Sequence, residues 1–354
     1  MTQVQNKQHG FSLVELLISI LIVGFILAGV LSVIVTSRQS FRGEQEVSFM
    51  QENLRYAADM FARDLRLAGN TDCAIPAASS DVITINDATG LFGPEAIIGF
   101  EGTTDISSFP TTLSEVTAAG SDAFIVRYAD PDGAAPIKSH SPHNSNQVEL
   151  FSATELFSGR NLMLVDVTCR HSVIFASNKN TTASDKFTQG ASCSQNFYAN
   201  DVDYICDSPA TGIPFEAGST LLVHQSYAYF IDESDVIAGV PALKRRSFVA
   251  GGVRTDEIAQ GIESMEVLYG VALDRTLANL REAKLDEDGI DAFVSADEVD
   301  DWENVVAVRV SLVLRSQNNF YDENTVSTIN GVQYGDRFLR QPMTSTFYLR
   351  NRGV

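Results

Sequence analysis

The pattern of apolar and polar positions changes twice along the chain. Met1 to Gly10 is polar, with no apolar face to bury, and Phe11 to Val35 is then a run of 25 residues with a single formal charge, Glu15. At about 1.5 Å per residue, a helix of that length crosses the roughly 30 Å hydrocarbon layer of a membrane. Beyond Ser37 the pattern turns amphipathic: Val47, Met50, Leu54, Ala57, Ala58, Phe61, Leu65 and Ala68 recur at the three-and-four spacing of one helical face. Asp59 and Arg63 stand four apart on the polar side, and Gly69 with Asn70 supplies a stop. The spacing predicts one helix over residues 11–69, membrane-spanning over 11–35.

After Asn70 the period falls to two, with turn residues between runs. Short strands are expected at Val82–Ile85, Ala96–Phe100, Ala123–Tyr128, Val148–Phe151, Leu162–Val167, Val173–Ala176, Leu221–Val223 and Tyr227–Ile231. Pro131, Gly133, Pro136 and Pro142 predict a loop, and the polar stretch 178–208 a long excursion. The clearest strand is late. Val306, Val308, Val310, Leu312 and Leu314 fall on one face, with Ala307, Arg309, Ser311, Val313 and Arg315 on the other, as in a half-buried antiparallel strand. Ser264–Leu273 and Thr344–Leu349 are its expected companions. The fold class is α+β: a long N-terminal helix packed on a large antiparallel β-rich globular head, residues 70–354.

Glu15 is the first chemical question. A carboxylate near the start of an apolar span costs a few kcal/mol unless it finds a partner, and no residue of the span carries the opposite charge. A cut between Gly10 and Phe11 would supply one, because the new α-amine of Phe11 has an ordinary pKa of about 8. A neighbouring copy of the helix would present that amine to Glu15 and so fix the axial stagger between helices. A secretory signal peptide would instead be cut after a shorter apolar region. An uncut single-pass anchor leaves Glu15 unexplained.

Charge and cysteines narrow the classes. The chain has 45 acidic and 25 basic residues, net -20, a field that repels phosphate backbones, so nucleic-acid binding is not expected. Lys244, Arg245 and Arg246 form a compact basic triplet, which reads as a solvated strand edge. Cys73, Cys169, Cys193 and Cys206 all come after the apolar span, and an even number in an exported domain favours disulfides. Four cysteines allow three pairings, and spacing alone does not choose among them; Cys193 with Cys206 closes the shortest loop, and Cys73 with Cys169 would then tie the helix end to the head. Asp286, Asp288 and Asp291 sit in the densest acidic region and suggest a Ca2+ loop, but the EF-hand template fails at Lys284 and Ser295; a solvated acidic loop is the plainer reading. His140 and His143 lie in a proline and serine loop and do not make a metal site by themselves. There is no HExxH, GxSxG or GxxxxGK[ST] motif, so no enzyme class is indicated.

Gly10, Phe11, Ser12, Leu13, Val14 and Glu15 resemble the prepilin processing motif of type IV pilins and type II secretion pseudopilins. Within that superfamily the FSLVELLISI start, the run NLRYAADMFARDLRLAGN over residues 53–70, and the segment 261–315 are most similar to the PilW group of minor pilins. In that last segment Tyr269 and Gly270 precede the acidic loop, followed by Trp302 and VVAVRVSLVLRS.

The resemblance implies a leader peptide over residues 1–10, cut after Gly10 by prepilin peptidase, and N-methylation of Phe11. It implies a non-catalytic subunit, without cofactor, anchored in the bacterial inner membrane with its head in the periplasm. Such a subunit helps prime a type IV pilus (fimbrium) with other minor pilins and the major pilin, and sits near the tip at the cell surface, beneath an adhesin in some cases. The alternatives are a type II secretion pseudopilin at the tip of a pseudopilus, and a membrane-anchored periplasmic hydrolase or binding protein. The chain departs from many pilins in having no proline in the span and no cysteine after Cys206.

Overall fold

The structure is a computed structural model. It describes residues 12–71, 81–82, 85–86, 95–102, 113, 120–141, 147–169, 171–177, 183–188, 199–200, 215–249, 252–272, 290 and 292–351. The chain divides into two units, Met1–Gln51 and Glu52–Val354.

Helix α1 (Leu13–Leu67) is a single α-helix of 55 residues. Its first turn is held by Ser12, whose carbonyl accepts from the Leu16 amide at 3.1 Å. In the apolar part Ser19 and Thr36 donate their hydroxyls to the carbonyls of Glu15 and Ser32, four residues back. Those bonds satisfy the hydroxyls within the helix itself, as an apolar surrounding would require. Every residue from Leu13 to Phe41 is exposed. The stop falls where the sequence placed it, with Gly69 at φ 72° and its amide donating to the Arg127 carbonyl at 2.9 Å. A left-handed residue at this position closes the helix without a Cβ penalty.

The described strands are, in order, β1 (Asp81–Val82), β2 (Ile85–Asn86), β3 (Ile97–Phe100), β4 (Ala123–Ser141), β5 (Gln147–Thr154) and β6 (Asn161–Val165). They continue as β7 (His171–Ala176), β8 (Ser184–Thr188), β9 (Ala199–Asn200), β10 (Thr220–Glu233), β11 (Pro241–Val249) and β12 (Gly252–Gln260). The last are β13 (Ile262–Val271), β14 (Ala292–Val294), β15 (Val305–Arg315), β16 (Thr325–Ile329), β17 (Val332–Asp336) and β18 (Arg340–Tyr348). Ten of them form one sheet, and β14, β13, β15 and β18 form a second, in that order.

Strands β4 and β10 are the spine of the first sheet, paired antiparallel, and each changes partner along its length. Strand β10 pairs β6 through Thr220–Val223 and β11 through Tyr227–Glu233. Strand β4 pairs β3 through Ala123–Val126 and β5 through Ile137–Ser141. One half of the sheet therefore closes over its own core of Ile137, Val148, Leu150, Phe157, Phe187 and Leu221. The other half receives the last turns of α1. There Leu54, Ala57, Phe61 and Leu65 are buried. Phe61 meets Phe124 and Tyr229 on the first sheet and Phe347 on the second, at ring distances of 5.6, 5.0 and 6.2 Å. Each fully buried side chain of this size contributes about 1.5–3 kcal/mol.

Three expectations are corrected. The loop predicted around Pro131, Gly133 and Pro136 is strand: β4 runs through all three and ends at Ser141. It absorbs Pro131 and Gly133 in a bulge, where Val223 opposes Asp130 and the next residue back, Leu222, opposes Ala134, while Pro136 stays in the ladder opposite Thr220. Residues 131–133 are displaced from the ladder, so no sheet hydrogen bond needs an N–H from Pro131. The runs Leu221–Val223 and Tyr227–Ile231 are one strand, β10. Lys244, Arg245 and Arg246 do not form a solvated edge, since β11 is paired on both sides, by β10 and β12, and Lys244 is 4 % exposed. Asp232 and Asp235 compensate its charge at 3.2 and 2.8 Å.

Other strands were not foreseen. Strand β8 lies inside the stretch read as a polar excursion and pairs with β5. Hairpins β11–β12 and β16–β17 also went unpredicted, although Asn330 and Gly331, both at positive φ, are the turn pair that hairpins prefer. Pro142 and His143 lie outside the described residues.

Candidate functional site

Two places carry chemistry, one in each unit. In the first, Glu15 sits in the opening turn of α1, where a negative charge suits the positive end of the helix. Its carboxylate accepts from the Ser12 amide at 3.4 Å, a long, uncharged contact. Among the described residues no cation lies within 4 Å of it. Around it stand exposed Leu13, Val14, Leu16, Leu17 and Ile18. The apolar part of the helix is long and apolar enough to cross a membrane.

The second place is Asp64, an acid on the buried stripe of α1 that is 1 % exposed. Its carboxylate accepts from Tyr128 on β4 at 2.9 Å and Tyr229 on β10 at 2.5 Å. Arg245 on β11 donates to the same carboxylate at 3.3 Å and lays its guanidinium over the Tyr227 ring, 4.2 Å from the centroid. Strand alternation explains the convergence. Tyr229 lies opposite Phe124 on one side and Arg245 on the other, so side chains two apart along each strand all face the helix.

The electrostatics reflect that enclosure. Burial pushes the Tyr128 and Tyr229 hydroxyls above their ordinary range, and the charge of Asp64 adds to it. Both therefore stay protonated and donate. Burial works to lower the Arg245 pKa, yet Tyr229, Tyr227 and Asp64 hold it above the ordinary value. A buried carboxylate with this many donors is satisfied, and it fixes the helix in one register against three strands. Sequence reasoning passed over Asp64, although a signal was present: it stands three residues after Phe61 and four before Ala68, on the apolar stripe.

Of the other residues singled out by sequence, Gly10, Phe11, Cys73, Cys193, Cys206, Asp286, Asp288 and Asp291 lie outside the described residues. Cys169 takes part in a disulfide and adopts a positive φ of 58°. His140 accepts from the Phe215 amide through Nδ1 at 3.3 Å and packs edge-on to that ring, a structural role. No group of three or more His, Cys, Asp or Glu among the described residues is placed to hold a metal.

Tyr269 and Trp302 meet edge to face, 4.8 Å apart, and the Gly270 position is closed in by Ala307 and Phe293. The late segment is therefore one packed unit. A family model described as Type IV Pilus-assembly protein W matches residues 228–351, from the middle of β10 to just beyond β18. A second, the Prokaryotic N-terminal methylation motif, matches residues 5–31. The chain carries a PilW-family type IV pilus-assembly region and a prepilin methylation motif.

The PilW region contains Tyr229 and Arg245, and with them the whole second sheet. The methylation motif contains Gly10, Phe11 and Glu15. No curated protein and no solved structure matches the chain. The motif implies processing by prepilin peptidase and assembly with other pilins, and the apolar helix fits anchoring in the inner membrane. PilW-family proteins are in general structural pilins without enzymatic activity.

Proposed function

We propose that this chain is a minor pilin, cut after Gly10, that helps prime assembly of a type IV pilus and sits near its tip. The observation that carries the reading is Glu15: a carboxylate on an apolar, exposed helix whose contact among the described residues is an uncharged amide 3.4 Å away. In the cut chain the α-amine of Phe11 on a neighbouring subunit supplies the missing positive charge. Residues 11–35 then serve first as membrane anchor and later as filament core, with the head in the periplasm and afterwards at the cell surface.

The size of the head supports a place at an end. Unit Glu52–Val354 exceeds the usual domain size of about 100–150 residues, and helical packing gives each repeated subunit limited lateral room. Such a subunit is non-catalytic and works with other minor pilins, the major pilin and, in some assemblies, an adhesin.

Mass spectrometry of the amino terminus tests the reading. An N-methylated Phe11 is expected. An intact Met1 in cells with active peptidase overturns it and favours an anchored hydrolase or binding protein. Deletion of the gene separates a pilus from a type II secretion pseudopilus by whether surface filaments disappear.

A further inference from the structure

Within the unit Glu52–Val354, a groove of about 690 Å³ lies at the end of α1. That size falls in the range of ligand pockets, about 300–1,000 Å³. The last turns of the helix contribute Arg63 and Arg66 to it, and the segment after β18 contributes Arg350. All three are exposed, and none lies within 4 Å of a carboxylate among the described residues. Asp59, which also lines the groove, is 3.9 Å from Arg55 instead.

The negative end of the helix dipole would be the natural internal partner for these arginines. It is already occupied, because the Asn351 side-chain amide donates to the carbonyls of Arg66, Leu67 and Ala68. Ala62, Leu67 and Pro131 give the groove an apolar floor. In a chain of net charge -20, three guanidiniums against a single lining acid, Asp59, leave the groove net positive and make a carboxylate receptor. Guanidinium suits that task, since its planar fork binds a carboxylate with two parallel hydrogen bonds. The apolar floor fits a peptide better than a bare ion.

We propose that this groove binds an acidic peptide segment presented by a neighbouring pilin subunit. The proposal rests on the pilus-assembly reading and names one contact within it. This chain itself shows the chemistry such a segment would have: Asp297, Glu298, Asp300, Asp301 and Glu303 are all exposed along a stretch of seven residues.

The test uses the full chain in detergent micelles and two labelled peptides, SADEVDDWEN, copied from residues 295–304, and its amide counterpart SANQVNNWQN. The acidic peptide is expected to bind, to weaken as salt rises from about 50 to 300 mM, and to lose about tenfold in affinity in Arg63→Ala/Arg66→Ala/Arg350→Ala. The corresponding triple lysine variant should recover part of the loss, and far-UV circular dichroism should be unchanged in both. Equal binding of the amide peptide, no loss in the alanine variant, or full displacement of the acidic peptide by inorganic phosphate or by phosphatidylglycerol vesicles overturns the proposal. Cutting after Gly10 is read separately, so loss of peptide binding with correct processing separates this contact from the assembly reading.

Discussion

Asp64 on the helix and Tyr229 on the central strand meet at 2.5 Å across 165 positions of sequence. With Tyr128 and Arg245 they join one turn of α1 to β4, β10 and β11. Replacing Asp64 by Ala leaves the Arg245 charge without its partner, and breaking a buried pair in this way costs about 3–5 kcal/mol. Asp64→Asn keeps the shape and is expected to cost less, about 1–3 kcal/mol. Denaturant unfolding of the two variants, with Tyr229→Phe as a third, measures the ranking. Equal stability of Asp64→Ala and the parent would remove the proposed lock.

His224 makes the head sensitive to acid. Burial, with Arg127 beside it, holds its pKa down at about 3, against about 6.5 in the unfolded chain. The unfolded chain thus takes up a proton that the folded one refuses, and stability present above pH 6.5 is lost as pH falls toward 3. By pH 4.5 the loss from this group is about 2–3 kcal/mol. Thermal unfolding at pH 7.5 and 4.5 should show a smaller pH effect in His224→Gln than in the parent, carboxylate titrations being common to both. The same drop in both proteins would acquit His224.

Gly102 is required for a reason of space. A Cβ there would stand 2.0 Å from the Ser121 carbonyl carbon, and the Gly102 amide donates to Asp122 at 2.7 Å. Backbone is in the way, so no side-chain rotation relieves the clash. Gly102→Ala should lower stability by at least about 2 kcal/mol, read as a shift in the urea midpoint. Gly120, where nothing lies within 4 Å but φ is +83°, is a control that isolates backbone strain from crowding.

Glu15→Ala should leave the chain inserted and cut, because the apolar run and Gly10 are untouched. Its incorporation should fall, since the α-amine of an adjoining subunit loses its counter-charge. Immunoblots of sheared filaments against membrane fractions read this directly. Normal recovery in filaments would count against any registering role for the acid.

Much of the fold was legible because it depends on neighbours along the chain. The helix and its stop at Gly69 come from apolar spacing and one left-handed residue, and β15 from strict alternation. Strand β4 was misread because Pro131, Gly133 and Pro136 are local loop signals, while the bulge that accommodates the first two, and the ladder position of Pro136 opposite Thr220, exist only once β10 lies alongside. The charge triplet at Lys244 failed for a related reason. Two strands cover both its edges, and Asp232, Asp235 and Asp64 arrive from elsewhere to neutralise it.

The sequence by itself determined the apolar helix, its lone acid, the β-rich character of the head and the likeness to prepilins. Those are properties of spacing along the backbone, and they need no partner to be read. Only the tertiary structure decided that Asp64 is the point where helix and sheet are fastened, and that Arg63, Arg66 and Arg350 share one groove. Both depend on residues distant in the chain being brought within a few ångströms, and a charge takes its meaning from the charges that folding places around it.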